Sequence, residues 1–202
     1  EIHNLETIKE YYKNSKINLA DIFKIIENRK VFVFVIPSYN NIDNYLINLD
    51  SIRNQIYESN LYRIIYIDDM SEDSTKEKVL EYIKLHKMEN QVNISIQPKF
   101  RQRQGLARFI AFHSCFDDEI VLNLDGDDWL YDEITLQKMN NHYLHDNILV
   151  SYGSYYVYDI DSLDIGQKMN YPYKNKLEGK RQYPKEIIEK KDFRNYAWIS
   201  CH

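Results

Sequence analysis

The sequence is poor in the residues that punctuate a chain. Its 202 residues hold only five glycines, four prolines and two cysteines. Cys115 and Cys201 lie far apart with no metal-type spacing, which excludes a disulfide scaffold and a cysteine-based zinc site as organising devices. Long apolar runs are missing too. The longest, Val31–Ile36, is six residues, far below the ~20 that a membrane span needs. Positive charge is not in surplus: 26 Lys and Arg against 31 Asp and Glu give a net charge of −5. That balance argues against non-specific nucleic-acid binding, which depends on basic side chains neutralising phosphates. No signal or transit peptide is visible and the first residue is Glu1 rather than Met. The expectation is a fragment of unassigned compartment, with the cytoplasm as the default. The length fits one domain with a small appendage and suffices for a hydrophobic core.

Ile, Asn, Lys and Tyr are abundant instead, with 18 tyrosines alone. All four have AT-rich codons, so the bias reads as genomic, and the tyrosines need not form a stacking surface. With glycine and proline scarce, asparagine must take many of the turn positions.

Apolar residues at Leu5, Ile8, Tyr12, Leu19, Ile22, Phe23 and Ile26 predict one or two amphipathic helices, interrupted near Asn14–Ser15. The run 31–36 then reads as a strand buried on both faces, as in a parallel sheet. Helical spacing over 42–56 is followed by a strand at 62–67. A helix over about 74–88, capped by Asp73 or Ser74, leads to a strand at 92–96. A helix over about 104–116 leads to a strand at 119–124. Another helix spans about 133–145, and 148–152 and 155–159 read as two further strands. Residues 161–185 read as a long loop, and only 186–192 regains helical character. The alternation predicts an α/β fold, a mostly parallel sheet flanked by helices. The expected organisation is a helical appendage (1–29), a core (30–160) and a partial, truncated region (161–202). The sequon Asn93-Ile94-Ser95 falls in an expected buried strand, where it would go unused.

In an open parallel sheet, ligands bind beyond the carboxyl ends of the strands. Three clusters fall at such ends: Pro37-Ser38-Tyr39-Asn40, then Asp68-Asp69-Met70-Ser71-Glu72-Asp73, then Asp125-Gly126-Asp127-Asp128-Trp129. Residues 117–133 carry eight acidic side chains and no basic one. Two like charges 4 Å apart repel by about 4 kcal/mol at an effective dielectric of ~20, so the cluster calls for a cation. Oxygen ligands favour Mg²⁺ or Mn²⁺, and a short turn leaves coordination positions open for phosphate oxygens. The alternative is an ordinary Asp-Gly turn with a cap. Upstream, Lys99, Arg101, Arg103 and Arg108 surround Gly105 near a helix start, an arrangement suited to a diphosphate or, alternatively, to a solvated charged face.

These residues together resemble the GT-A fold glycosyltransferases of family 2. The resemblance spans Val31 to Trp129 and rests on PSYN at 37–40, DDMSED at 68–73, Gly105-Leu106-Ala107-Arg108 and LDGDDW at 124–129. Ser51 and Gln55 add the family's S-x-x-x-Q pattern. The resemblance implies a GT-A core that takes a nucleotide-sugar donor, expected to be UDP-linked. It implies that Pro37 and Tyr39 line the nucleotide pocket, with Asp69, or else Asp68, on the pyrimidine edge. Asp125 and Asp127 would form an Asp-x-Asp motif touching the ribose and a Mn²⁺ or Mg²⁺ ion, a role Asp128 could share. Gly105 and Arg108 would belong to the nucleotide site, but the gap between them is shorter than usual, leaving Arg101, Arg103 and Arg108 as rival diphosphate partners. His202 stands where several GT-A enzymes place a late metal-binding histidine. The implied reaction is inverting transfer to a hydroxyl of a carbohydrate, protein or lipid acceptor. Its general base is not identified; Asp159, Asp161, Asp164, Glu178 and Asp192 lie in no clear motif. Two other readings stand beside it. One is a nucleotidyltransferase, although PSYN lacks the expected glycine-rich basic loop; the other is a catalytically silent nucleotide-sugar-binding module.

Overall fold

The computed structural model describes residues 28–96, 103–144, 148–151, 155–159 and 164–169, with Lys13 and Glu189 as isolated positions. The chain divides into two compact units, residues 1–148 and 149–202.

In the first unit, β1 (Val31–Ser38), β2 (Tyr62–Asp68), β3 (Val92–Ile96) and β4 (Glu119–Asn123) form one parallel sheet in the order β3-β2-β1-β4. The register runs from Phe32↔Tyr62 to Ser38↔Asp68 between β1 and β2, and from Val31↔Glu119 to Val35↔Asn123 between β1 and β4. Strand order therefore reverses at β1, which places the switch point between the ends of β1 and β4. Helices α1 (Tyr45–Arg53), α2 (Thr75–Leu85), α3 (Arg103–Phe112) and α4 (Thr135–Tyr143) connect and flank the strands. Each lies inside its expected span to within a few residues.

The pleat of β1 sends alternate side chains to two cores. Phe32, Phe34 and Ile36 pack with Leu49 and Ile52 of α1, Val79, Tyr82 and Ile83 of α2, and Leu136 of α4. Val33 and Val35 pack with Ile65, Ile67 and the two alanines of α3, Ala107 and Ala111. Each large apolar side chain buried this way stabilises by roughly 1.5–3 kcal/mol relative to exposure. At the amino end of β1, fully buried Asn140 of α4 accepts the Lys30 N–H at 2.8 Å, and Tyr57 donates to the Lys30 carbonyl at 2.8 Å.

The structure corrects three expectations. The strand at 119–124, whose apolar run EIVLNL reads as buried, is half-buried along β4, because among the described residues it pairs only with β1. The sequon asparagine Asn93 is exposed, because β3 is an edge strand. Residues 148–151 form no strand, whereas β6 (Asp164–Met169), in the expected loop, pairs antiparallel with β5 (Tyr155–Asp159) in the second unit. The mixed polar sequence DIGQKM offers no apolar run, and its pairing comes from backbone hydrogen bonds to a tyrosine-rich partner. The expected helices over 5–28 and 186–192 lie outside the described residues apart from Asn28 and the single positions Lys13 and Glu189.

A bidentate ion pair links the strands either side of β1: Arg63 Nε and Nη2 each donate to Glu119 at 2.8 Å. The Arg63 hydrogen bonds outweigh burial and hold the Glu119 carboxyl below its ordinary range. A depressed folded pKa contributes stability above the unfolded value, lost as pH falls through the folded one. Glu119→Gln should therefore lose roughly 1.5–3 kcal/mol at neutral pH in urea denaturation. The gap to the wild type should close below about pH 4.

Candidate functional site

The carboxyl end of β1 holds both neighbouring loops through its backbone. The Asp69 N–H donates to the Ser38 carbonyl at 2.9 Å, and the Gly126 N–H to the Pro37 carbonyl at 3.1 Å. The clusters at the ends of β1, β2 and β4 thus meet at one edge of the sheet. Gly126 is required there by close approach: a Cβ would stand 2.9 Å from Ser38 Cβ and Oγ and 2.5 Å from Asn41 Nδ2. Ser38 is itself buried, its Oγ accepting from Tyr66 Oη at 2.7 Å and Asn41 Nδ2 at 3.0 Å. Burial, offset in part by the Ser38 hydrogen bond, pushes the Tyr66 hydroxyl up to about 12.

The loops after β1 and β2 are cross-linked as well. Asn40 takes a left-handed backbone (φ 51°), a turn position that asparagine fills in place of glycine. Its N–H donates to Ser71 Oγ at 3.0 Å and its Oδ1 accepts the Glu72 N–H at 2.8 Å. Met70 is also left-handed (φ 63°), a strained conformation for a long side chain. Of the two capping residues expected for α2, Asp73 supplies the bonds: its Oδ1 accepts the Thr75 N–H at 2.9 Å and its Oδ2 the Ile42 N–H at 3.3 Å. Against a burial effect that raises it, a hydrogen bond from the Thr75 hydroxyl and these backbone bonds keep the Asp73 carboxyl below its ordinary value.

The acidic turn after β4 is closed by an Asp128 N–H to Asp125 carbonyl bond of 3.0 Å. Asn48 of α1, fully buried, donates from Nδ2 to the Asp125 carbonyl at 3.0 Å and the Asp128 carbonyl at 2.6 Å. Among the described residues its buried Oδ1 has no hydrogen-bond partner, an omission that costs roughly 1–3 kcal/mol. One turn on, Ser51 Oγ accepts the Leu130 N–H at 3.1 Å and donates to the Asn48 carbonyl at 2.7 Å. Gln55 donates to the Asp132 carbonyl at 2.6 Å and accepts the Leu136 N–H at 3.0 Å. A polar stripe at 48, 51 and 55 therefore fixes the backbone from 125 to 136.

The expected site residues separate by environment. Pro37 is buried in β1 and Tyr39 half-buried just beyond it. Asp68 and Asp69 are buried, and Asp68 Oδ1 is a second buried acceptor without a donor among the described residues, its Oδ2 accepting the Ser71 N–H at 3.2 Å. Asp125 is buried and ion-paired with Arg108, whose Nε also donates to Asn123 Oδ1 at 2.7 Å. Arg108 is thus turned onto the acidic turn itself. Asp127 and Asp128 are exposed. Gly105 lies exposed in the first turn of α3 with open space where a Cβ would stand, so packing does not require glycine there. Among the described residues, no three His, Cys, Asp or Glu side chains converge as a metal cluster. His202, Arg101, Asp161, Glu178 and Asp192 lie outside the described residues. For Asp159 and Asp164 the structure gives the backbone pairing of β5 with β6.

Sequence reasoning missed Asn48. Its signal was a polar residue at a core-facing position of α1, between Tyr45 and Leu49–Ile52, where a side chain must find hydrogen bonds or be excluded.

A four-stranded parallel sheet with helices on both faces and a strand-end site at the switch point defines an α/β protein of the GT-A class. The chain belongs to glycosyl transferase family 2, whose family model matches residues 33–197. No curated protein sequence matches it. Among solved structures, the mannosyltransferase PcManGT from Pyrobaculum calidifontis, in complex with GDP-Man and Mn²⁺, is 22% identical with a TM-score of 0.50. That match covers 59% of this chain and 30-odd per cent (33%) of the other, and shows the fold. TarS from S. aureus, in complex with UDP, is 23% identical with a TM-score of 0.47 over 54% of this chain and 30% of its own. The chain spans about a third of the length of these proteins.

Gly126→Ala should force the turn away from Ser38. The expected cost is about 1–3 kcal/mol in chemical denaturation, as for overpacking of a filled site. Stability equal to the wild type would show that the β1–turn contact is loose.

Proposed function

We propose that this chain is the donor-binding part of a metal-dependent glycosyltransferase that moves a sugar from a nucleotide diphosphate, UDP first, to an acceptor hydroxyl with inversion. The observation that carries the reading is the exposed Asp127–Asp128 pair, held at the switch point by a rigid turn beside a buried acidic loop end. The family membership and the Mn²⁺ and GDP-Man complex of the Pyrobaculum relative support it.

The residues fit a hard divalent ion. Asp127 and Asp128 offer carboxylate oxygens in water, and with no third ligating side chain beside them among the described residues, diphosphate oxygens would complete the coordination. When bound, Mn²⁺ or Mg²⁺ supplies Lewis-acid stabilisation of the charge that builds on the departing diphosphate. Asp125, neutralised by Arg108, keeps the turn's first carboxylate off the ion and available to the ribose through its second oxygen. Tyr39 lies against the base, and the buried Asp68-Asp69 loop end presents carboxylate acceptors to the base's N–H edge, with Asp69 as the first assignment. Burial strengthens such hydrogen bonds by excluding water. Inversion requires a carboxylate base on the acceptor side, opposite the leaving diphosphate.

Calorimetric titration of UDP with and without Mn²⁺ tests the reading. UDP should bind only with the ion, and Asp127→Asn should weaken that binding at least tenfold while leaving the melting temperature unchanged. Tighter binding of GDP would reassign the base but keep the metal–diphosphate site. Equal UDP affinity in the wild type and Asp127→Asn would overturn it.

A further inference from the structure

The acidic turn is a poor candidate for staying put by itself. Asp125, Asp127 and Asp128 are three carboxylates within four residues, and Gly126 between them resists bending least of all residue types. Yet the turn is tied at both ends to one side chain. The Asn48 carboxamide spends both of its N–H groups on the first and last carbonyls of the turn, at 3.0 and 2.6 Å, from a helix on another part of the fold. The reverse orientation of the amide would face an oxygen toward two carbonyl oxygens, so the hydrogen-bond pattern allows only this one. The arrangement leaves Asn48 Oδ1 buried with no donor among the described residues. A side chain chosen for stability alone would be apolar here, beside buried Leu49 and Ile52, and would leave no orphaned atom.

We propose that Asn48 is a positioning residue for the cation: by fixing the Asp125–Asp128 span it holds the exposed Asp127 and Asp128 carboxylates in their ion-binding arrangement before the donor arrives. The inference rests on the donor-site reading above. Asn48 touches neither ion nor nucleotide; it acts through the backbone of the turn. Loss of such outer support lowers metal affinity by about 10–100-fold in other sites.

Asn140 supplies a matched control. It too is a fully buried asparagine with an orphaned atom, Nδ2, but it ties the opposite, amino end of β1 to α4. The test measures the Mn²⁺ dissociation constant in saturating UDP by calorimetry, together with the melting temperature. The variants are Asn48→Ala, Asn48→Ser and Asn140→Ala. Asn48→Ala should weaken Mn²⁺ by at least tenfold. Asn48→Ser, which keeps one donor, should fall between it and the wild type, and serves alone if Asn48→Ala does not fold. Asn140→Ala should melt earlier yet bind Mn²⁺ within about twofold of the wild type, a loss of stability without loss of the ion. Wild-type Mn²⁺ affinity in a folded Asn48→Ser or Asn48→Ala would overturn the inference alone. An equal loss in Asn140→Ala would overturn it by showing that any destabilisation loosens the ion. Failure of the wild-type chain to bind Mn²⁺ at all would instead overturn the donor-site reading, and this inference with it.

Discussion

The last two carbonyls of β1 are the point on which the site depends. Pro37 and Ser38 close the β1–β2 ladder and lie beyond the β1–β4 register, and their oxygens accept the N–H groups of Gly126 and Asp69. One strand end thereby fixes the loops that follow its two neighbours. Because β1 is buried on both faces between β2 and β4, this frame can shift only if the core shifts with it. The close contact of Gly126 with Ser38 follows from the same pinning. So does the buried Tyr66–Ser38 hydrogen bond, which ties the frame back to β2.

The electrostatics of the site follow from where each carboxylate ends up. A row of acids would repel itself severely in a dry interior, and the fold avoids that by separating their surroundings. Asp125 goes inside with the Arg108 guanidinium as partner, and Glu119 with Arg63. Asp127 and Asp128 are exposed, where water screens their repulsion. Asp73 spends its charge on the start of α2 and on the Ile42 N–H. The net charge of −5 is thus an average over acids with different duties.

Much of this was legible in the sequence. Short β-branched runs ending in polar clusters marked β1, β2 and β4 to within one or two residues; β1 and β2, in the middle of the sheet, are apolar almost throughout. The clusters at 37–40, 68–73 and 125–129 do meet, because parallel strands deliver their carboxyl ends to one edge. What stayed hidden was long-range pairing. Nothing in the order of residues says that Asn48 reaches the Asp125 and Asp128 carbonyls, about eighty positions away in the chain. That Arg108, one of three rival diphosphate partners in the sequence, pairs with Asp125 is likewise visible only in the fold. The β5–β6 hairpin escaped because its stability lies in backbone pairing, which leaves no hydrophobic period to read.

On the proposed reading, the Asp127–Asp128 turn, at the junction of β1 and β4, receives a divalent ion together with a nucleoside diphosphate. Paramagnetic broadening of backbone amide signals by Mn²⁺ in the presence of UDP addresses it most directly. The account predicts selective loss of the signals of Gly126–Trp129 and of Tyr39–Asn40, while those of Val92–Asn93 in the edge strand β3 persist. Uniform weak broadening, or loss centred on residues away from the turn, would contradict it.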